Sequence, residues 1–210
     1  MIIDSRVYFI HIPRTGGRYV RKLLSNNFVT KYQDALRQVK NEPLIHSHWH
    51  YPLYLIRKKE MKDNSKFFTV IRDPFEKIMS QLKIEFQRNK NLFNLLKDKY
   101  FFFDYVEEQR NSLSFHNNWY RPQIDFVSKD TFVWHFSLGF ENEFFSWLEK
   151  NFKLKIENKE KQDYEKFSEI DDPLTISSDL TAIKKNTYLY YEKDYLLSNS
   201  VLDKLKEEGQ

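Results

Sequence analysis

The segment Val7-Tyr8-Phe9-Ile10-His11-Ile12-Pro13-Arg14-Thr15-Gly16-Gly17-Arg18-Tyr19-Val20 changes from one backbone period to another across a single short loop. Val7 to Ile12 is a largely apolar run suited to a buried β-strand. From Tyr19 onward, Tyr19, Val20, Leu23 and Leu24 recur at helical spacing as far as Asn26 and Asn27. The chain has four glycines, and two of them are the adjacent pair between these elements. The unit reads as strand, Pro/Gly loop, helix.

A second unit repeats the plan. Phe67-Phe68-Thr69-Val70-Ile71 is a continuous apolar run, Arg72-Asp73-Pro74 interrupts it, and a helix is expected from Phe75 to Gln87 with Asp73 as its N-cap and Pro74 in its first turn. Leu44 to His50 reads as a short strand entering a loop. The stretch 89–118 reads as one or two helices, Phe132 to Phe136 as a strand, and Glu141 to Asn151 as an amphipathic helix with Phe144, Phe145 and Leu148 inward. The charge-dense run from Lys153 to Lys166 reads as a solvated surface, Thr187 to Tyr191 as a strand, and Asp194 to Glu208 as a closing helix. Strands alternating with helices predict an α/β fold, a mostly parallel sheet flanked by helices, in one domain spanning residues 1–210.

Composition narrows the class. With 40% hydrophobic, 30% charged and 17% aromatic residues, a chain of this length can bury a core large enough to order it. No run approaches the roughly 18 apolar residues of a membrane span, and the first strand starts too early for a secretory signal, so a soluble, cytoplasmic protein with no membrane partner is expected. Zero cysteines remove disulfides, thiolate nucleophiles and Cys-type zinc sites. The net charge of +4, from 34 Lys and Arg against 30 Asp and Glu, suits an anionic ligand without indicating nucleic acid.

In such sheets ligands bind beyond the carboxyl ends of the strands. The loop Pro13 to Arg18 sets helix N-terminal amides beside Thr15, Arg14 and Arg18, the chemistry of a phosphate cradle. It is not a Walker A loop, because Ile12 stands at the first glycine position and Arg18-Tyr19 replace Lys-Ser/Thr. Arg72 at a strand end and Ser80 two helical turns on form a second grip. Two grips suggest a ligand phosphorylated at two places. The plain alternatives are a tight β–α turn and a capped helix carrying a surface arginine.

These residues resemble a known family. His11-Ile-Pro-Arg-Thr-Gly-Gly17 is similar to the 5′-phosphosulfate loop, and Thr69-Val-Ile-Arg-Asp-Pro74 with Ser80 to the 3′-phosphate motif, of sulfotransferases that use 3′-phosphoadenosine-5′-phosphosulfate (PAPS). The nearest subgroup is the Golgi carbohydrate sulfotransferases and their bacterial relatives. Arg72 follows Gly17 by 55 positions, with a His-rich loop between. Ser47-His48-Trp49 resembles the family's Gly-His-Phe segment, Asn118-Trp-Tyr-Arg-Pro-Gln123 a segment near substrate and nucleotide, and Tyr190-Tyr-Glu-Lys-Asp-Tyr195 the closing junction.

The resemblance implies a P-loop, nucleotide-kinase-like sulfotransferase fold and in-line transfer of the sulfuryl group of PAPS to a hydroxyl of a carbohydrate or other small acceptor. It implies donor binding by Arg14, Thr15, Gly16, Gly17, Arg18, Arg72 and Ser80, and catalysis by His48 as general base with Arg14 stabilising the departing bisphosphate. The donor's charge is met by Arg, Ser and backbone amides, so the scheme requires no metal. The family usually carries Lys at Arg14 and small hydroxyl residues at Arg18 and Tyr19.

His46, His48 and His50 alternate and on a strand would share a face, as a transition-metal site requires. No carboxylate cluster accompanies them, so the base reading of His48 is preferred, with polar packing as the plain alternative. His50 substitutes if the register differs by two, and Arg121 contacts donor or acceptor or is a structural arginine before Pro122. Competing functions are a non-catalytic module for anionic ligands or nucleic acid, a nucleotide-dependent phosphotransferase, which the missing Gly-Lys-Ser/Thr opposes, and an inactive relative of the transferases.

Overall fold

The computed structural model describes residues 1–3, 6–31, 64–86, 89, 91–111, 117–157 and 180–208. Five strands form one sheet in the order β3-β1-β2-β4-β5: β1 Ile2–Ile3, β2 Val7–Ile10, β3 Thr30–Lys31, β4 Lys66–Ile71 and β5 Thr131–His135. The helices are α1 Gly17–Asn27, α2 Pro74–Phe86, α3 Leu92–Leu95, α4 Lys99–Asn111, α5 Asn142–Phe152, α6 Thr181–Tyr190 and α7 Glu192–Glu208. The α/β expectation holds, and the two strand-loop-helix units stand where the period changes placed them.

The sheet is mixed rather than mostly parallel. β2 pairs parallel with β4, and β4 with β5, whereas β1 runs antiparallel to both β2 and β3. Only residues 4–6 separate β1 from β2, and a parallel pairing needs a crossover of a dozen residues or more. The two-residue β1 and β3 carry no period that could have announced them.

Alternation along the strands sorts side chains between two layers. Phe9, Phe68, Val70 and Trp134 pack with Val20, Leu23 and Leu24 of α1 and Phe144, Trp147 and Leu148 of α5. On the other face Ile10 and Ile71 meet Phe126, with Leu197 and Val201 of α7 against them. A third cluster, built from Ile78 and Leu82 of α2, Phe93 of α3, Phe102 and Val106 of α4, and Ile183 of α6, extends the molecule beyond the sheet. Among the described residues no helix is long and apolar enough to cross a membrane.

Two further expectations are corrected. The segment 187–191 is not a strand, since Thr187 through Tyr190 complete α6 and Tyr191 turns into α7. Ile183, Asn186 and Thr187 are its buried residues, a helical spacing visible only when the window opens at Thr181. Thr187 returns its hydroxyl to the carbonyl of Ile183 at 2.8 Å, and the Asn186 amide donates to the carbonyls of Leu96 and Lys97 beyond α3. The start of the charge-dense run is likewise not wholly solvated. Leu154 and Ile156 enter the core between the exposed Lys153, Lys155 and Glu157. The expected strand at Leu44 to His50 lies outside the described residues.

Candidate functional site

β2, β4 and β5 end side by side, with Ile10 opposite Thr69 and Ile71 opposite His135, so their outgoing loops gather at one edge. The Thr69 hydroxyl donates to the Ile10 carbonyl at 2.7 Å and ties the first two ends together. In the loop after β2, Arg14 and Gly16 take left-handed conformations, at φ 66° and 82°. The Thr15 hydroxyl is buried and donates to the Ile12 carbonyl at 2.9 Å, so it braces the turn.

The glycine pair is required by the protein's own packing. A Cβ on Gly17 would fall 1.8 Å from the His11 ring, and one on Gly16 would fall 2.7 Å from the Phe140 ring. Both rings crowd the loop from within the chain. α1 then starts at Gly17; the Gly16 carbonyl accepts the Tyr19 and Val20 amides at 3.0 and 3.3 Å, which leaves the amides of Gly17 and Arg18 as the ones at the helix end that no carbonyl inside the helix reaches.

Arg14 brings the two expected grips together. Its Nη2 donates to the Ser80 carbonyl at 2.6 Å and to Ser80 Oγ at 2.9 Å, and its Nε donates to the same Oγ at 3.2 Å, across 66 residues of sequence. Burial first, then the charges of Arg18 and Arg72, lower the Arg14 guanidinium from 12.5 to about 10. It remains a cation at neutral pH. Arg14, Arg18 and Arg72 thus concentrate positive charge at this edge, with Glu76 paired to Arg72 on its exposed side at 3.0 Å.

Arg72 stands at the end of β4. Its Nε donates to Glu76 at 3.0 Å, and its guanidinium lies 4.4 Å from the centre of the Phe136 ring. Phe136 is also within 3.0 Å of the Cβ position of Gly16, so one ring backs both loops. Asp73 caps α2 as expected, accepting from the Glu76 amide at 2.9 Å with Pro74 at the first helical position. Arg121 is held by its neighbours, donating from Nε to Asn118 at 2.8 Å and from Nη1 to Asp125 at 3.4 Å. His48 and His50, with His46, lie outside the described residues.

Two polar clusters escaped the sequence reading. Lys77 of α2 is fully buried, donating to the carbonyls of Trp119 at 2.9 Å and Arg121 at 3.1 Å. Burial lowers it from 10.5 to about 8 against the opposing pull of Asp194, with Arg14 adding a smaller push downward. Asp194, at the start of α7, accepts the backbone N–H of Gln123 at 2.7 Å and of Ile124 at 3.0 Å. Burial raises its pKa although both amides and Lys77 favour the carboxylate. The second cluster is Glu85, which accepts the hydroxyls of Tyr105 and Tyr120 on one oxygen and the Gln81 amide at 2.7 Å on the other. Burial, with Glu85 close by, pushes both phenols upward. A lysine or glutamate on an amphipathic helix reads as surface; Lys77 shares a face with Ser80 three positions on, and Glu85 carries no such signal.

Comparison of the chain with protein-family models, curated proteins and solved structures finds no match.

Proposed function

We propose that this chain is a sulfotransferase that moves the sulfuryl group of PAPS to a hydroxyl of a carbohydrate or other small acceptor. The observation that carries the reading is the contact of Arg14 with Ser80 inside the field of Arg18 and Arg72, which makes one anion site from two motifs far apart in sequence. The residues present fit a bisphosphorylated donor: three guanidiniums, a serine hydroxyl and helix N-terminal amides, with Glu76 on Arg72 as the exposed carboxylate that a phosphate would displace. The donor supplies an activated sulfuryl group on a good leaving phosphate. Arg14 and the α1 amides hold charge on the 5′ side, while Arg72 and Ser80 take the 3′-phosphate, for which Arg72 exchanges Glu76 and Ser80 shares its hydroxyl with Arg14. In this reading His48 removes the acceptor proton, the general-base role that imidazole fills most often. A P-loop-like sulfotransferase fold belongs to the same proposal.

The test is a titration with adenosine 3′,5′-bisphosphate, set against ATP with magnesium, on the natural chain and on Arg14→Ala and Arg72→Ala. A ligand at 100 times its Kd adds about 2.7 kcal/mol to the folded state and raises the melting midpoint. Selective stabilisation lost in both variants supports the donor site, and indifference to the bisphosphate refutes it. His48→Ala is expected to keep donor binding and lose about a hundredfold or more in transfer to a hydroxyl acceptor. Binding without transfer by the natural chain would instead make it an anion-binding module.

A further inference from the structure

Arg72 lies one residue past the last pair of β4 with β5, Ile71 with His135, where the ladder no longer holds its peptide groups. A side chain takes over. Gln123 accepts the Arg72 N–H on Oε1 at 2.9 Å and donates from Nε2 to the Arg72 carbonyl at 2.7 Å, a two-bond clamp of the kind a neighbouring strand would supply. Gln123 is itself fully buried and fastened, because Asp194 accepts its backbone N–H and that of Ile124 at the start of the 3-10 turn Gln123–Phe126. Lys77 holds the preceding segment through the carbonyls of Trp119 and Arg121. The main chain of Arg72 is thus tied through one glutamine to α7 and, through the same segment, to α2. The guanidinium beyond it is less committed: among the described residues its hydrogen bonding is through Nε alone, to a half-exposed Glu76.

We propose that Gln123 and Asp194 are positioning residues for anion capture, holding the Arg72 backbone so that its guanidinium is aimed at the site before the ligand arrives. The proposal rests on Arg72 being an anion ligand, as in the reading above, and not on the chemistry of transfer. A fixed backbone leaves only side-chain rotamers to order on binding, which is how preorganisation raises affinity. Losing the clamp should weaken capture only where Arg72 is present to be aimed.

The experiment is a double-mutant cycle read by calorimetric titration with inorganic pyrophosphate and, separately, adenosine 3′,5′-bisphosphate. Gln123→Met is expected to weaken binding about tenfold beside Arg72 and to add no further loss in the Arg72→Ala background. Equal losses in both backgrounds would make Gln123 a structural residue and overturn the proposal, as would unchanged affinity. If Gln123→Met does not fold, the same cycle and criteria apply to Asp194→Asn, which keeps an oxygen facing the Gln123 amide. A natural chain that binds pyrophosphate but not the adenosine bisphosphate refutes the PAPS reading and leaves the cycle to decide the positioning role. One that binds neither anion overturns the positioning role as well.

Discussion

At Gly17 the lack of a side chain lets the start of α1 lie against His11, whose ring fills the volume that any Cβ would need. Gly17→Ala is expected to cost about 1–3 kcal/mol through overpacking, measured by urea denaturation, and to weaken anion binding as the loop shifts. An unchanged midpoint would show that His11 yields freely. Glu76 has the opposite character. It is an exposed partner one turn from Arg72, and such pairs contribute about 0.5 kcal/mol or less. In the proposed function it holds the Nε that the 3′-phosphate would take. Glu76→Gln should therefore leave the melting midpoint within a degree or so and tighten bisphosphate binding a few-fold by calorimetry. Weaker binding would mean that Glu76 orients Arg72 rather than competing for it.

Among the elements, α2 carries the most. Its N-terminus is fastened by Asp73, its inner side delivers Ser80 to Arg14 and Lys77 to the carbonyls of Trp119 and Arg121, and its last turn sends Glu85 to Tyr105 and Tyr120. Asp73→Ala removes the cap from the Glu76 amide and is expected to cost about 1 kcal/mol, with Asp73→Asn recovering most of it in the same denaturation assay. The cap was legible because Asp-Pro after an apolar run is a local signal. α6 was not legible, because Thr187, Tyr188 and Tyr190 favour a strand by propensity. The packing of Ile183 in the α2–α4 cluster, the burial of Thr187, and the bonds of Asn186 to the end of α3 decide for a helix. Tertiary contact overrides local preference there.

For the molecule as a whole, the buried Lys77 and Asp194 make stability depend on pH in a directed way. Lys77 releases its proton at about 8 in the folded state and at 10.5 in its ordinary state. Between those values the unfolded chain binds the extra proton, so stability rises with pH across the window, by on the order of 3 kcal/mol for a shift of this size. Below pH 8 both states are protonated and the cost of burying the ammonium is present in full. Urea denaturation between pH 8 and about 9.5, short of the range where tyrosines of the unfolded chain ionise, should show the rise, and Lys77→Met should flatten it. An equal slope in the variant would assign the effect to another group. Asp194 acts at the acid end. Its raised pKa in the folded state means that stability contributed by its protonated form is lost as pH climbs past the ordinary carboxylate range.

The sequence by itself determined the parts that depend on neighbours in the chain: the two strand-loop-helix units, the Asp73 cap and the adjacent glycines, and it nominated Arg14, Arg18, Arg72 and Ser80 as the candidate anion ligands of the proposed function. Each follows from a period, a cap or a residue type whose meaning is set within a few positions. Tertiary structure alone decided the rest. It put Arg14 on Ser80, buried Lys77 among carbonyls, and set Gln123 as the missing strand partner of Arg72. It also turned the sheet mixed through two strands too short to read. The reason is physical: hydrogen bonds and burial between residues 42 to 71 positions apart depend on which surfaces meet, and no local window carries that information.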